Sequence, residues 1–345
     1  MRKLPILLLL FCFNFSAAQH IARKANLGIS AAPAPSNEYG AVHAVAMVHP
    51  NTTAQNMDMK VQDILISLNG IPLKNNQDVQ KAISTFVVGK NADAKVLRSG
   101  ELVSLKGKVM AEAPFKKPEH EIALLEVPFR EGYIRAYLTH PKGKGPFPTI
   151  YFIQGYACQS INVHPQSPTL QLTNSLVDMG YAVFRIEKPG VGEFVNLQPC
   201  DQYNFDDELE SFKNGLSFIN EIDQVDPNKI FLFGHSLGGN VAPLLAANTS
   251  IAGVMVYGTM IKTWQEYLLD MARYSQSYTE DPLKVYSKIP LLKSSSRKLY
   301  EEGKQIIDLT KEELELLKEW QGYTEDGLLF TRTFEFWQKF NQYDY

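Results

Sequence analysis

Lys229-Ile-Phe-Leu-Phe-Gly234-His235-Ser236-Leu237-Gly238-Gly239-Asn-Val-Ala-Pro-Leu-Leu-Ala-Ala247 reads as strand, sharp turn and helix. Ile230 to Phe233 is an apolar run of the kind that makes a short buried parallel strand, and Asn240 to Ala247 is rich in helix-forming Ala and Leu. Between them stands Gly-x-Ser-x-Gly. A serine on so tight a turn has strained backbone angles, and side chains at Gly234 and Gly238 would clash where strand and helix meet. That strain would hold the Ser236 hydroxyl over the sheet edge. The first N–H groups of the helix point the same way, so an oxyanion forming beside Ser236 would meet the amide of Leu237. The alternatives are a glycine-rich turn without chemistry or a phosphate-cradling loop; no Gly-Lys-Ser/Thr follows, which argues against the second.

Working back from this turn, the chain alternates strands and helices. Glu121 to Pro128 and Tyr133 to Thr139 read as an antiparallel pair, and Pro148 to Ile153 as a buried strand ending at Gln154-Gly155-Tyr156. Leu170 to Gly180 is a helix closed by glycine, Tyr181 to Ile186 a strand, and Phe205 to Ile222 an amphipathic helix with Asp206, Asp207 and Glu208 near its positive end. Ile251 to Tyr257 is one more strand. This rhythm predicts an α/β architecture with a mostly parallel sheet covered on both faces. Beyond Gly258 the periodicity is helical throughout, with segments from Ile261 to Arg273, Pro282 to Leu309, Lys311 to Trp320 and Thr331 to Phe340.

Residues 121–258 resemble the front of an α/β-hydrolase, and 259–345 resemble the helical cap that many of these proteins place over the acyl site. The resemblance implies that Ser236 is the nucleophile of an acyl transfer to water, and that the Tyr156 amide joins Leu237 in the oxyanion hole. It would bring the loops bearing Cys158 and Cys200 to one rim, where a disulfide is expected. Trp264, Tyr267, Trp320 and Trp337 would roof the site. The same resemblance requires an acid and a histidine after the serine, and none of the seven histidines follows Ser236. The hydrolase core is therefore expected to be incomplete, as in a fragment, and the chain as written to be a weak serine esterase or an inactive one. His235 adjoins the serine and should point elsewhere; His164 is a minor candidate base. The alternatives are an exported binding protein without catalysis and a serine peptidase of the same fold.

The front of the chain has a different grammar. Arg2 and Lys3 precede an apolar run, Leu4 to Phe15, and the small residues Ser16-Ala17-Ala18, the pattern of a signal peptide over 1–18. The protein is then expected in the periplasm or outside the cell, free of any transmembrane segment. Residues 19–112 are β-rich with one helix, Asn76 to Phe86, and turn signals at Asn69-Gly70 and Ser99-Gly100. Their order resembles a PDZ domain, with Leu27, Gly28 and Ile29 as its carboxylate-binding loop, so a peptide C-terminus is an implied partner. Pro33 and Pro35 would shorten the strand that a peptide joins. His43 and His49 read as ordinary polar residues. A polar, proline-bearing linker spans 113–120. With 34 basic and 37 acidic residues the charge balance offers no nucleic-acid footprint. No metal-ligand spacing occurs, and no cofactor is implied.

Overall fold

Side chains that alternate between the two faces of one central sheet organise the larger part of the chain. In this computed structural model the described residues are 20–163, 166–275, 278, 280–324 and 327–343. The expected signal peptide and His164 lie outside them. The first part contains β1 (Ala25–Asn26), β2 (Ile29–Pro33), β3 (His43–Val48), α1 (Thr53–Asn56), β4 (Ile64–Leu68), β5 (Ile71–Pro72), α2 (Asn76–Ser84), β6 (Asn91–Arg98), β7 (Glu101–Lys108) and β8 (Met110–Ala111). Its main sheet runs β2-β3-β4-β6-β7, with β5 on β4. Leu27, Val45, Leu65, Leu68, Ala82 and Val96 share one small core. Asn75 caps α2 through a bond from the Asp78 amide, which is why the helix starts there. Pro33 is the last residue of β2, so the strand keeps five residues.

The second part contains β9 (His120–Phe129), β10 (Gly132–Pro141), β11 (Phe147–Ile153), α3 (Pro168–Asp178), β12 (Ala182–Ile186), β13 (Phe194–Val195), α4 (Phe205–Ile219), β14 (Val225–His235), α5 (Leu237–Ala246) and β15 (Gly253–Tyr257). The sheet order is β13-β10-β12-β11-β14-β15, with β9 paired along the other edge of β10 from Gly132 to Pro141. β12, β11, β14 and β15 are parallel; β9 and β10 are antiparallel to their neighbours. Period-two alternation sends Ala136, Leu138, Tyr151, Ile153, Phe184 and Ile186 to the face of α4 and α5. Tyr137, Phe152 and Val183 go to the face of α3, where they meet Val177. At the far edge, Val254, Met255, Val256 and Tyr257 of β15 are all exposed, on both faces of the strand.

The last part contains α6 (Trp264–Ser275), α7 (Pro282–Tyr300), α8 (Lys311–Gln321), β16 (Leu328–Leu329), β17 (Arg332–Thr333) and α9 (Phe334–Asn341). Two expectations need correction. The region is not helical throughout, because β16 and β17 form a tight hairpin in which Leu329 faces Arg332. Its two turn residues, Phe330 (φ 48°) and Thr331 (φ 63°), are both left-handed. Asn-Gly is the usual sign of such a turn, so Phe-Thr concealed it. Second, Trp320 does not roof the serine: it packs with Leu269, Val285 and Leu292 in a core inside the helices themselves.

Candidate active site

Ser236 stands where β14 hands over to α5, with φ 55° and ψ −128°. A residue with a side chain rarely adopts that backbone, and it persists only when its surroundings over-determine it. They do so here. The Ser236 amide donates to the Tyr257 carbonyl at 2.9 Å, and its own carbonyl accepts from Gly239 at 2.8 Å. A Cβ on Gly234 would lie 2.1 Å from the Gly238 carbonyl oxygen, and one on Gly238 the same distance from that of Ile153. Neither position admits any residue but glycine. Gly155 brings the loop after β11 against the serine, since a Cβ there would sit 3.4 Å from Ser236 Oγ.

Tyr156, just past β11, and Leu237, the first residue of α5, both line the space beside Ser236. Among the described residues no hydrogen bond engages the amide of either. His235 lines a cavity of about 260 Å³ beside Ser236, and its ring stacks on Tyr257 at 5.9 Å. Among the described residues no side-chain base is hydrogen-bonded to the Ser236 hydroxyl.

The walls of that cavity are pinned from below by a buried acid. Glu187 accepts from Ser160 Oγ at 2.6 Å, from the Ile161 amide at 2.9 Å and from the Tyr137 hydroxyl at 3.3 Å. Burial pushes the Glu187 carboxyl above the usual carboxylate range, against these three donors. Cys158, two residues past Tyr156, is joined to Cys200 with an S–S distance of 2.04 Å. Arg332 Nη1 lies 2.8 Å from Cys158 Sγ and 2.9 Å from Cys200 Sγ, while its Nη2 donates to Glu208 at 2.6 Å. Lys188 Nζ is 2.7 Å from the other Glu208 oxygen and forms an ion pair with it. All three charged side chains are buried. Nothing local in the sequence flagged this cluster, because its members stand at 188, 208 and 332; Glu208 read as one of three acids at a helix start.

Leu27, Gly28 and Ile29 are far from Ser236 in the chain and belong to another cavity of about 430 Å³, between β2 and α2. Gly28 is left-handed (φ +75°) and lies against Thr52, whose side chain leaves no room for a Cβ there. His43 lines the same cavity with a buried, unbonded Nε2, whereas His49 Nε2 meets Ser30 Oγ at 3.0 Å. Glu119, His120 and Asp178 bring potential ligand atoms within 4.8 Å of one another. Asp178 is already paired with Lys117 and His120, so its charge is spent there.

Residues 166–314 match the family described as serine aminopeptidase, S33, and residues 25–109 match the PDZ domain family. The esterase EstD of Thermotoga maritima is 25% identical over 143 residues, which is 41% of this chain and 34% of that protein. The match thus spans about a third of the relative. Among solved structures, esterase Est22 is similar with 17% identity and a TM-score of 0.35, over 43% of this chain and 47% of its own. Acetyl xylan esterase 1 from a Thermoanaerobacterium species has 17% identity and a TM-score of 0.37, over 54% and 66%. Among the described residues no helix is long and apolar enough to cross a membrane. The chain is a PDZ domain joined to a domain of the α/β-hydrolase fold.

Proposed function

We propose that this protein hydrolyses a carboxylic ester through an acyl-enzyme on Ser236. The observation that carries the reading is the strained serine at φ 55°, held over the sheet edge between two unengaged amides. Ser236 Oγ forms a bond to the carbonyl carbon and gives up its proton. The carbonyl oxygen gathers negative charge between the N–H groups of Tyr156 and Leu237, and the bond to the alcohol breaks as the alcohol leaves with a proton. Water then releases the acid by the same route. With no side-chain base bonded to Oγ among the described residues, proton removal falls to solvent, and turnover is slow. The leader-like residues 1–18 and the Cys158–Cys200 bridge favour an exported location.

The test is labelling of the purified chain by a fluorophosphonate, read by intact mass, beside Ser236→Ala. Slow, stoichiometric labelling that Ser236→Ala abolishes supports the reading. Equal labelling of both proteins, or none in a folded sample, overturns it. The same spectrum shows whether residues 1–18 are present after expression with export.

A second reading concerns the PDZ domain. β2 is an edge strand whose open side adjoins the cavity bordered by Leu27, Gly28, Ile29, Val79 and Ile83. This geometry suits an extended peptide whose C-terminal carboxylate ends at the Leu27 to Ile29 loop.

A further inference from the structure

Arg332 stands on the β16–β17 hairpin with its side chain wholly buried. Three groups hold it: Glu208 from α4, the Phe336 ring with its centroid 3.9 Å from Cζ, and the Cys158–Cys200 bridge. The contact with the bridge is chemically mismatched. Nη1 sits 2.8 and 2.9 Å from the two sulfurs, yet a disulfide sulfur is a weak and neutral acceptor. A guanidinium N–H finds a far better partner in a thiolate, because both groups are then charged. Charge counting points the same way. Among the described residues Glu208 is the carboxylate paired with Lys188 and with Arg332, and all three are buried. Asp201, which follows Cys200, pairs with neither cation. Two cations and one carboxylate leave one positive charge in excess beside the sulfurs. A buried charge without a counterion is costly, and a thiolate at this place supplies the missing anion.

The two sulfurs differ in access: Cys158 is half-buried, whereas Cys200 is 5% exposed. We propose that the bridge is a redox-sensitive clasp, opened in the folded protein by a dithiol that attacks Cys158 and closed again by a disulfide oxidant. One thiol of the dithiol loses its proton to solvent and forms a bond to Cys158 Sγ. The bond to Cys200 Sγ breaks, and its electron pair stays on Cys200 as a thiolate beside Arg332. The second thiol then displaces Cys158, which takes that thiol's proton, and the dithiol leaves as a disulfide. A thiolate beside a cation is a faster leaving group, and a reduced state stabilised in this way makes a bridge easier to open than an ordinary structural one. Cys158 is two residues past Tyr156, and the bridge ties it to the helical turn Cys200–Gln202 ahead of α4. The Glu187 anchor takes hold further along, at Ser160 and Ile161. Opening the bridge therefore loosens the residues next to Tyr156. As a statement about reactivity this rests on Ser236 being the nucleophile; as a redox equilibrium it stands without that.

The experiment equilibrates the purified, oxidised full chain with mixtures of reduced and oxidised dithiothreitol at pH 7, without denaturant. Free thiols are trapped with N-ethylmaleimide and read by intact mass as two adducts beyond any on Cys12, while circular dichroism follows the fold. Reversible reduction of the folded parent is expected. Arg332→Met should need at least about a tenfold higher ratio of reduced to oxidised dithiothreitol for half-reduction, because the thiolate loses its cation. Lys188→Met should shift the same way, and serves if Arg332→Met fails to fold. Lost stability alone would make the bridge easier to open, the opposite sign. Fluorophosphonate should label Ser236 at least about fivefold more slowly in the reduced parent than in the oxidised one, with recovery on reoxidation. Reduction only where circular dichroism shows unfolding, an unchanged or lower ratio in the folded variants, or equal labelling of the two forms would each overturn the proposal. If the equilibrium shifts as expected while neither form is labelled, the clasp stands as a redox site and the esterase reading falls.

Discussion

Glu208 is shared by two buried cations, Lys188 and Arg332. A buried ion pair gains little over an apolar replacement, but removing one partner strands the other. Glu208→Gln leaves both cations without a countercharge and should cost about 3 to 5 kcal/mol in urea unfolding. Lys188→Met keeps the Arg332–Glu208 pair and should change stability by no more than about 1 kcal/mol at pH 7; a loss as large as that of Glu208→Gln would refute the assignment. Burial lowers the Lys188 pKa to about 8, with Glu208 opposing the shift. The unfolded chain keeps its proton up to the ordinary lysine value, so between those two pKa values it binds more protons than the folded state. Stability from this group therefore rises with pH from about 8 upward, by at most about 3 kcal/mol, and is flat below. Unfolding at pH 7.5 and pH 10 should show a rise in the parent that exceeds the rise in Lys188→Met. Arg332 also touches both sulfurs of the bridge that carries the Tyr156 loop, so this charge cluster ties the cap hairpin to one wall of the site.

The element that sequence reading missed is the hairpin of β16 and β17, two strands of two residues each. Strands so short carry no alternation to detect, and the left-handed Phe330 and Thr331 contradict the usual turn residues. It delivers Phe330 to the cavity beside Ser236 and Arg332 to the disulfide, so its consequences exceed its length. α2 was easier to foresee, since it is an amphipathic helix interrupting a β-rich region. The groove between β2 and α2 makes an element-scale prediction. A fluorescein-labelled decapeptide ending in a free valine carboxylate should bind at least tenfold tighter than the same peptide amidated, by anisotropy, because the loop amides would bond only an anion of that shape. Val79→Lys on α2 should remove the difference. Equal affinity for acid and amide would sink the peptide-end reading.

At the scale of the molecule, the PDZ core and the hydrolase core are separate apolar clusters, and charged groups join them. The segment before β1 is strapped to the larger domain: Glu126 accepts from the amides of His20 and Ile21 at 2.9 and 3.0 Å. Glu193 accepts from Arg23 Nε at 3.0 Å, from the Lys24 amide at 2.8 Å and from the buried Arg135 at 2.7 Å. Glu193→Ala leaves Arg135 with Glu126 at 3.5 Å as its carboxylate, beside the Leu125 and Ile21 carbonyls at 3.4 Å, and should cost about 3 kcal/mol. It should also free residues 20–24, so limited trypsin digestion would cut after Arg23 or Lys24 faster than in the parent. An unchanged cleavage rate would mean that the strap does not depend on Glu193. The apolar β15 edge is the other large-scale feature, a strand that among the described residues pairs on one side only, with the nucleophile strand β14, and has side chains exposed on both faces.

Periodicity and punctuation were enough to read the chain order of strands and helices and the serine turn, while the two domain types came from resemblance and the order of strands in the sheet from the structure. What periodicity and punctuation read is written in consecutive residues: Ile230 to Gly238 specifies strand, turn and helix because glycine alone fits beside the turn. The remainder required tertiary structure. Lys188, Glu208 and Arg332 become a unit only when strand, helix and hairpin pack together, and burial is what makes their charges matter. The cavity beside Ser236 has its walls from where Trp264, Phe330 and Trp337 send their rings, and a linear sequence does not hold that direction.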